Sequence, residues 1–194
     1  MPVVLIVHAG NRIDAPDREV PRFPAAQVDA VAQRVGRLFD VMKPAGVVSA
    51  PAAGADLIVL DEARKRSIPL HVFVPIDTDE FVRESVADQD SGWLAVFEAV
   101  IDHARDDAHS SLCHIDGGAH GDWYLQAHHG LLAHASELAA GDLIVALTVR
   151  PPAGEIPHSA TDEFADRAGQ AGLIVLTVDP RPVSDPAASG VRHL

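Results

Sequence analysis

Residues 47–60 read Val47-Val48-Ser49-Ala50-Pro51-Ala52-Ala53-Gly54-Ala55-Asp56-Leu57-Ile58-Val59-Leu60. The valines are typical of a buried strand, the small residues of a tight turn, and the apolar run after Asp56 of a helix. A turn of Ser, Ala and Gly lets backbone N–H groups at the start of the helix approach a ligand closely, which suits a phosphate. The stretch therefore predicts a strand, a turn and a helix, with a binding site at the turn.

Short apolar runs recur along the chain between segments with helical periodicity. The predicted strands are Val3–His8, Gly46–Ser49, Leu70–Val74, Leu143–Leu147 and Leu173–Val178. Because these runs do not alternate with polar residues, both faces of the sheet are expected to be covered, as in a mainly parallel sheet. Helical periodicity marks residues 28–42, 93–104 and 124–138, and a further helix begins at Ser159 or Thr161. The sequence thus predicts a three-layer α/β/α, Rossmann-like fold with a mainly parallel, five-stranded sheet.

The composition limits the kinds of partner that the protein is expected to bind and the cellular compartment in which it is expected. The 194 residues are 47% hydrophobic, which predicts a single domain over residues 1–178 and a flexible C-terminal tail over residues 179–194. The formal net charge of −13 argues against duplex nucleic acid and against an anionic membrane as partners. The first apolar run breaks at His8 and Gly10, too early for a signal peptide or a membrane span, and Cys113 is a single cysteine. We therefore expect a cytoplasmic protein with no membrane partner.

Ligands of open parallel sheets bind beyond the carboxyl ends of the strands, so the loops there hold the candidate residues. The loop after the first strand contains Gly10, Asn11, Arg12, Asp14 and Arg18. Glycine permits a close backbone approach, arginine offers planar donors to phosphate, and an aspartate can accept hydrogen bonds from ribose hydroxyls. A solvated loop with internal Arg–Asp pairs is the alternative explanation of the same residues.

The later loops add candidates of the same kind. They are Ser49, Gly54 and Asp56 after the second strand, Pro75, Glu80 and Ser85 after the third, and Ser159 and Thr161 before the last helix. Asp56 either compensates the helix dipole or orients a sugar hydroxyl. Glu80 either belongs to an exposed helix start with charge pairs or acts on a glycosidic bond.

Histidines are concentrated in one part of the chain. Seven of the eleven lie between His103 and His134, and Asp116 and Asp122 lie among them. His and Asp are competent ligands for a divalent metal, but this spacing fits no established motif. His128 and His129 are adjacent on a predicted helix and face different directions. We therefore expect neither a metal nor a cofactor, and we find no Walker loop or Gly-x-Gly-x-x-Gly.

Taken together, the loops resemble the SLOG superfamily, the Rossmann-like group named for Smf/DprA-type and Lonely-guy proteins, and most closely its nucleotide-sensing branch. The Gly-His-x-Ile-Asp motif of that family, with a following Arg, is similar to residues 10–14 and Arg18, although Asn11 replaces the His. The Ser-x-x-x-x-Gly-Ala-Asp motif is similar to residues 49–56. A Leu-Pro-Phe turn followed by Glu-Phe and Ser-Val is similar to residues 74–76, 80–81 and 85–86. The likeness covers most of residues 3–178.

The fourth motif of the family departs from this pattern. A Gly-Gly-Thr turn is common there, whereas this chain matches only Thr161, and Phe164 stands where Lonely-guy phosphoribohydrolases have a glutamate. The resemblance implies binding of a nucleotide or nucleotide-derived ligand at the carboxyl edge of the sheet, in a sensor or signalling module that forms a homodimer. The alternative is a hydrolase that cleaves the N-glycosidic bond of a nucleoside monophosphate, with Glu80 as the candidate catalytic carboxylate. A third reading is a subunit that uses the fold as an interaction surface.

Overall fold

A computed structural model describes residues 3–75, 77–88, 91–115 and 123–182. The strands are β1 (Val4–Gly10), β2 (Gly46–Ser49), β3 (Leu70–Pro75), β4 (Ser111–Ile115), β5 (Leu143–Val149) and β6 (Ile174–Val178). The helices are α1 (Val28–Met42), α2 (Ala55–Arg64), α3 (Thr78–Ser85), α4 (Ser91–Asp106), α5 (Trp123–Ala139) and α6 (Ala160–Gln170). A 3-10 turn, Ala25–Gln27, precedes α1.

The strands form one parallel sheet in the order β4-β3-β2-β1-β5-β6. β1 lies inside the sheet, with Ile6 opposite Val47 of β2 on one side and opposite Val145 of β5 on the other. The chain places β2, β3 and β4 successively outward and then returns to place β5 on the other side of β1. Strand order therefore reverses between β1 and β5, and ligands of such sheets bind at this switch point.

Alternate residues of β1 face the two helical layers, as the period of a strand requires. Ile6 packs into a cluster with residues of α1, α2 and α4 such as Val35, Leu60 and Val100. Leu5, Val7 and Ala9 pack into the opposite cluster, with Leu131 of α5 and Phe164 of α6. The three-layer α/β/α, Rossmann-like architecture predicted from the apolar runs is confirmed.

The predicted number of five strands is wrong, because Ser111–Ile115 forms a sixth strand, β4, at the edge of the sheet. Ser111, Cys113 and His114 interrupt its apolar character, and its residues stay partly exposed. A continuous apolar run is typical only of strands that are covered on both faces. The sequence of this edge strand therefore did not indicate a strand. The structure also extends β1 to Gly10 and β5 to Val149, two residues beyond the predicted ends.

The proposed flexible tail, residues 179–194, is described only as far as residue 182. Its first residues contact the domain. Nη1 of Arg34 in α1 donates a 2.6 Å hydrogen bond to the carbonyl oxygen of Asp179, and Nη2 of Arg181 lies 2.7 Å from a carboxylate oxygen of Glu155. Of the helices in the described part of the chain, none combines the length and the apolar character needed to span a membrane.

The contact between β1 and α2 leaves no room for a side chain on Gly10. A Cβ atom there would lie 2.3 Å from the Cβ atom of Ala55 and 3.1 Å from the ring of His8. We expect Gly10→Ala to lower the free energy of unfolding by about 1–3 kcal/mol, because the overpacked methyl group pushes α2 away from the sheet. Urea denaturation followed by circular dichroism measures this change.

Gly169 provides the matched control within α6. A Cβ atom there meets nothing within 4 Å, so Gly169→Ala should raise the free energy of unfolding by about 0.5–1 kcal/mol through helix propensity alone. Similar stabilities for the two variants would contradict the close packing at Gly10.

Candidate functional site

Three loops converge where β1 and β5 end. The amide of Asn11 donates to the carbonyl of Val149 at 2.9 Å, which extends the pairing of the two strands. The carbonyl of Asn11 accepts from the amide of Ala55, at the start of α2, at 3.2 Å. On the outer side, Nη2 of Arg22 donates to the carbonyl of Pro157 at 3.1 Å and joins the loop after β1 to the loop after β5. The loops after the first and second strands therefore meet at one edge of the sheet.

The turn before α2 is packed against the chain itself. Gly54 has a φ of 109°, and a Cβ atom there would lie 3.0 Å from Cα of Arg12 and from the amide nitrogen of Ile13. The amide of Ala53 donates to the carbonyl of Ser85 at 2.8 Å, and Ala55 is bonded to Asn11 as above. Protein carbonyls thus already accept from two amides at the turn where a phosphate was expected.

Asp56 connects α2 with the end of β1. Its Oδ1 accepts from the amide of Gly10 at 3.0 Å and lies 3.3 Å from Nε2 of His8, a side chain with no exposed surface. The other ring nitrogen, Nδ1, is 2.8 Å from the carbonyl oxygen of Leu147 in β5. A carbonyl can only accept, so Nδ1 carries a proton. The sequence reasoning did not select His8, although a polar residue within an apolar strand was a visible signal.

The candidates in the loop after β1 make hydrogen bonds within the protein. Oδ2 of Asp14 accepts from the amides of Arg22 and Phe23, both at 2.8 Å, and its Oδ1 lies 3.0 Å from Nε of Arg18. The guanidinium of Arg12 donates to the carboxylate of Asp88 and to a backbone carbonyl at the end of α3. These contacts favour the loop-internal explanation of Asp14 and Arg18.

The candidates after β3 lie further from the switch point, whereas Ser49 of β2 lies beside β1. Ser49 is buried, and its hydroxyl donates to the carbonyls of His8 and Ala50 at 3.3 and 3.1 Å. Pro75 ends β3, which lies two strands from β1, a separation of about 10 Å. Glu80 lies in the first turn of α3, with a carboxylate oxygen 3.7 Å from Nη2 of Arg83. Ser85 is buried at the end of that helix.

A capping box fixes the start of α6. The hydroxyl of Ser159 accepts from the amide of Asp162 at 3.3 Å, and the Asp162 carboxylate accepts from the amide of Ser159 at 2.8 Å. The carboxylate also accepts from Nη1 of Arg150 at 2.5 Å. Burial opposes ionisation, but the hydrogen bonds from Ser159 and the charge of Arg150 hold the pKa of Asp162 below its usual value. Ser159 is therefore the cap, and Thr161 is buried in the first turn.

Buried nitrogen atoms without hydrogen-bond partners are concentrated at this edge. Among the described residues there are six such side-chain atoms, and five belong to residues around the converging loops: His8 Nε2, Asn11 Nδ2, Arg12 Nε, His128 Nδ1 and Arg150 Nε. Buried polar groups nearly always have a partner, so each exception calls for an explanation. An acceptor-rich ligand would supply partners for Asn11, His128 and Arg150, whereas His8 Nε2 already lies near the carboxylate of Asp56.

Three of these residues lie on the same side of the sheet. Gly10 faces α2, so the alternation along β1 directs the next residue, Asn11, toward α5 and α6. Arg150 reaches α6 through its bond to Asp162, and the ring centroid of His128 in α5 is 5.3 Å from that of Phe164 in α6. We call Asn11, His128, Arg150 and the first turn of α6 the switch-point crevice, because ligands of open sheets bind in the crevice where strand order reverses. Sequence reasoning predicted Asn11 and Thr161 here and missed the other two side chains.

A separate groove of about 760 Å³ opens between α1, α2 and α4. Its lining includes Asp14, Asp29, Asp61, Glu62 and Asp88, with Lys65 as the single basic residue among them. Although this groove is large enough for a small molecule, its carboxylates repel an anion. For a phosphorylated ligand, the switch-point crevice is therefore the better candidate.

A comparison with family models and with curated proteins finds no match for this chain. Among the described residues, no three His, Cys, Asp or Glu side chains are arranged to hold a metal ion. Residues 116–122 of the histidine-rich segment lie outside the described part of the chain.

The ion pair and the capping box predict acid-sensitive stability. At pH 7, we expect Asp162→Asn to lower the free energy of unfolding by about 1–3 kcal/mol, because an amide cannot replace the charge facing Arg150. The folded pKa of Asp162 is below 3.8, so its contribution is present at neutral pH and is lost as pH falls from about 5 through 3.8 and then through the folded pKa. Urea denaturation at pH 7, 5 and 3 follows this loss.

Asp166→Asn, at an exposed position of the same helix, is the control and should change stability by less than about 0.5 kcal/mol. An Asp162→Asn variant whose deficit stayed constant down to pH 3 would show that its carboxylate charge stabilises nothing.

Proposed function

We propose that this protein binds a nucleotide or nucleotide-derived ligand at the switch-point crevice, as a sensor or signalling module. The observation that supports this most strongly is the set of buried nitrogens there without partners, on Asn11, His128 and Arg150. A buried donor left without an acceptor costs roughly 1–3 kcal/mol. A ligand whose phosphate oxygens accept from these groups would remove that penalty on binding.

The first turn of α6 adds to the attraction for an anion. The amides of Ala160 and Thr161 belong to the first turn, whose N–H groups have no intrahelical acceptor. The positive end of the helix dipole lies at the same place. Arg150 supplies a full positive charge, although its pair with Asp162 offsets part of it. These features suit a phosphate better than a neutral ligand.

The resemblance to the SLOG superfamily supports the same class of ligand and the same edge of the sheet. It does not supply a catalytic carboxylate, because Phe164, at the position of the family's glutamate, is fully buried against His128. Glu80 lies on α3 beside Arg83. Asp56 and Asp162 both accept hydrogen bonds from the protein. Binding without chemistry is therefore the function that these contacts favour over cleavage of an N-glycosidic bond.

Substitution of Asn11 tests the proposal because it separates binding from stability. Asn11→Leu removes the unpartnered amide while keeping a side chain of similar size. We expect the free energy of unfolding to stay the same or rise, and the affinity for the nucleotides that bind to fall by about tenfold or more, as for a lost buried hydrogen bond. Isothermal titration calorimetry with AMP, CMP, GMP and NAD measures the affinity.

Gln33→Leu, on the exposed face of α1, controls for an added apolar side chain and should leave affinity unchanged. Failure of every nucleotide in the panel to bind the unaltered protein would refute the proposal and favour a subunit that serves as an interaction surface. Equal affinities for Asn11→Leu and the unaltered protein would place the ligand elsewhere.

The same panel distinguishes binding from catalysis. Incubation with the purified protein, followed by chromatography, should leave each nucleotide intact. Release of free base that disappears in Glu80→Gln would instead establish the N-glycosidase alternative.

A further inference from the structure

His128 has the geometry of a ligand-contacting residue that none of the sequence motifs includes. It lies in the second turn of α5, whose amino-terminal end is at the carboxyl edge of the sheet because the helix runs antiparallel to the strands. The side chain is 7% exposed, its ring packs on Phe164, and its Nδ1 has no partner. A buried imidazole with an unused nitrogen, packed on α6 at the carboxyl edge of the sheet, is placed to hydrogen-bond a ligand that binds there.

The charges that act on His128 come from three helices. Asp56 in α2 and Glu163 in α6 favour the protonated ring, whereas Arg167 in α6 and the adjacent His129 disfavour it. Burial is the largest influence, and it lowers the pKa of His128 below 6.5. The ring is therefore neutral at pH 7 while the crevice holds no anion.

We propose that Nδ1 of His128 donates a hydrogen bond to an anionic group of the ligand, and that the imidazole takes up a proton as this group binds. The inference rests on the proposed function, since it needs an anion in the switch-point crevice. Its physical basis is that an anion in contact with a buried ring stabilises the protonated form and offsets the effect of burial. The ligand class is thereby narrowed to anions with at least one oxygen acceptor deep in the crevice.

Linkage fixes the sign of the pH dependence. Binding raises the pKa of the ring from its lowered value in the free protein, so affinity is highest below the free pKa. Between the free and the bound pKa, affinity falls by up to about tenfold per pH unit, and above the bound pKa it is constant. The pH range over which the affinity falls thus begins below pH 6.5.

The test measures proton uptake during binding. Titration calorimetry with AMP and NAD, in pairs of buffers that differ in ionisation enthalpy, gives the number of protons taken up between pH 6 and 8. Titration of the ligand's own phosphate is common to every variant, so it cancels in the difference between unaltered protein and His128→Gln. We expect that difference to approach one proton near the lower end of the range, and the exposed neighbour His129→Gln to behave as the unaltered protein does.

A second measurement does not depend on how well His128→Gln folds. In the unaltered protein, the side-chain NMR signals of His128 should move from neutral to doubly protonated when AMP is added at pH 7. Binding with equal proton uptake in all three proteins, or with an unchanged neutral ring, would overturn the role of His128 and leave the proposed function standing. Absence of binding to the whole panel would overturn both.

Discussion

The contact between the end of β1 and the start of α2 sets the geometry of everything at the carboxyl edge of the sheet. Gly10 lies against Ala55, the Gly10 amide donates to Asp56, and the Asn11 carbonyl accepts from the first amide of α2. Since these bonds hold the backbone on the α2 side, the next side chain along the chain, Asn11, is directed to the opposite layer. The same contact occupies amides that a phosphate would otherwise use, whereas the first-turn amides of α6 have no intrahelical acceptor.

The fold followed from the sequence because its main signal is strong. Uninterrupted apolar runs such as residues 143–147 are typical of strands covered on both faces, and the helical period between them is regular. The sequence did not predict β4, because Ser111, Cys113 and His114 interrupt the apolar run of this edge strand. The sequence also did not predict the order of the strands in the sheet, because a local pattern carries no information about which strands become neighbours.

The site was less predictable, for a physical reason. Asp14, Arg18 and Ser159 have the chemistry of ligand contacts, but whether a polar side chain faces a ligand or its own backbone depends on loop geometry that spacing does not encode. His128 carried a weak signal, as a histidine on the apolar side of a predicted helix near Leu131. Arg150 was also visible, as the charged residue that follows an apolar strand. Only their convergence in space distinguishes them from ordinary core and surface residues.

A protein with a net charge of −13 is compatible with an anionic ligand because potential is local. Five carboxylates line the groove between α1, α2 and α4, on the other side of the sheet from the switch-point crevice. On the crevice side, amide, imidazole and guanidinium nitrogens are buried without partners, and the carboxylate of Asp162 is engaged with Arg150. The sheet thus separates an acidic surface on one side from a small region of hydrogen-bond donors on the other.

The pairing of β1 with β5 also has a consequence for folding. His8 and Leu147, which bond across these strands, are 139 residues apart in sequence. Contacts so distant in sequence form slowly, because the entropy of closing the loop is lost before the contact is gained, so we expect β5 to dock after β2, β3 and β4 have assembled. Arg150 and α6 arrive only with or after β5. We therefore expect a partly folded chain to present an open strand edge where the finished protein pairs β1 with β5.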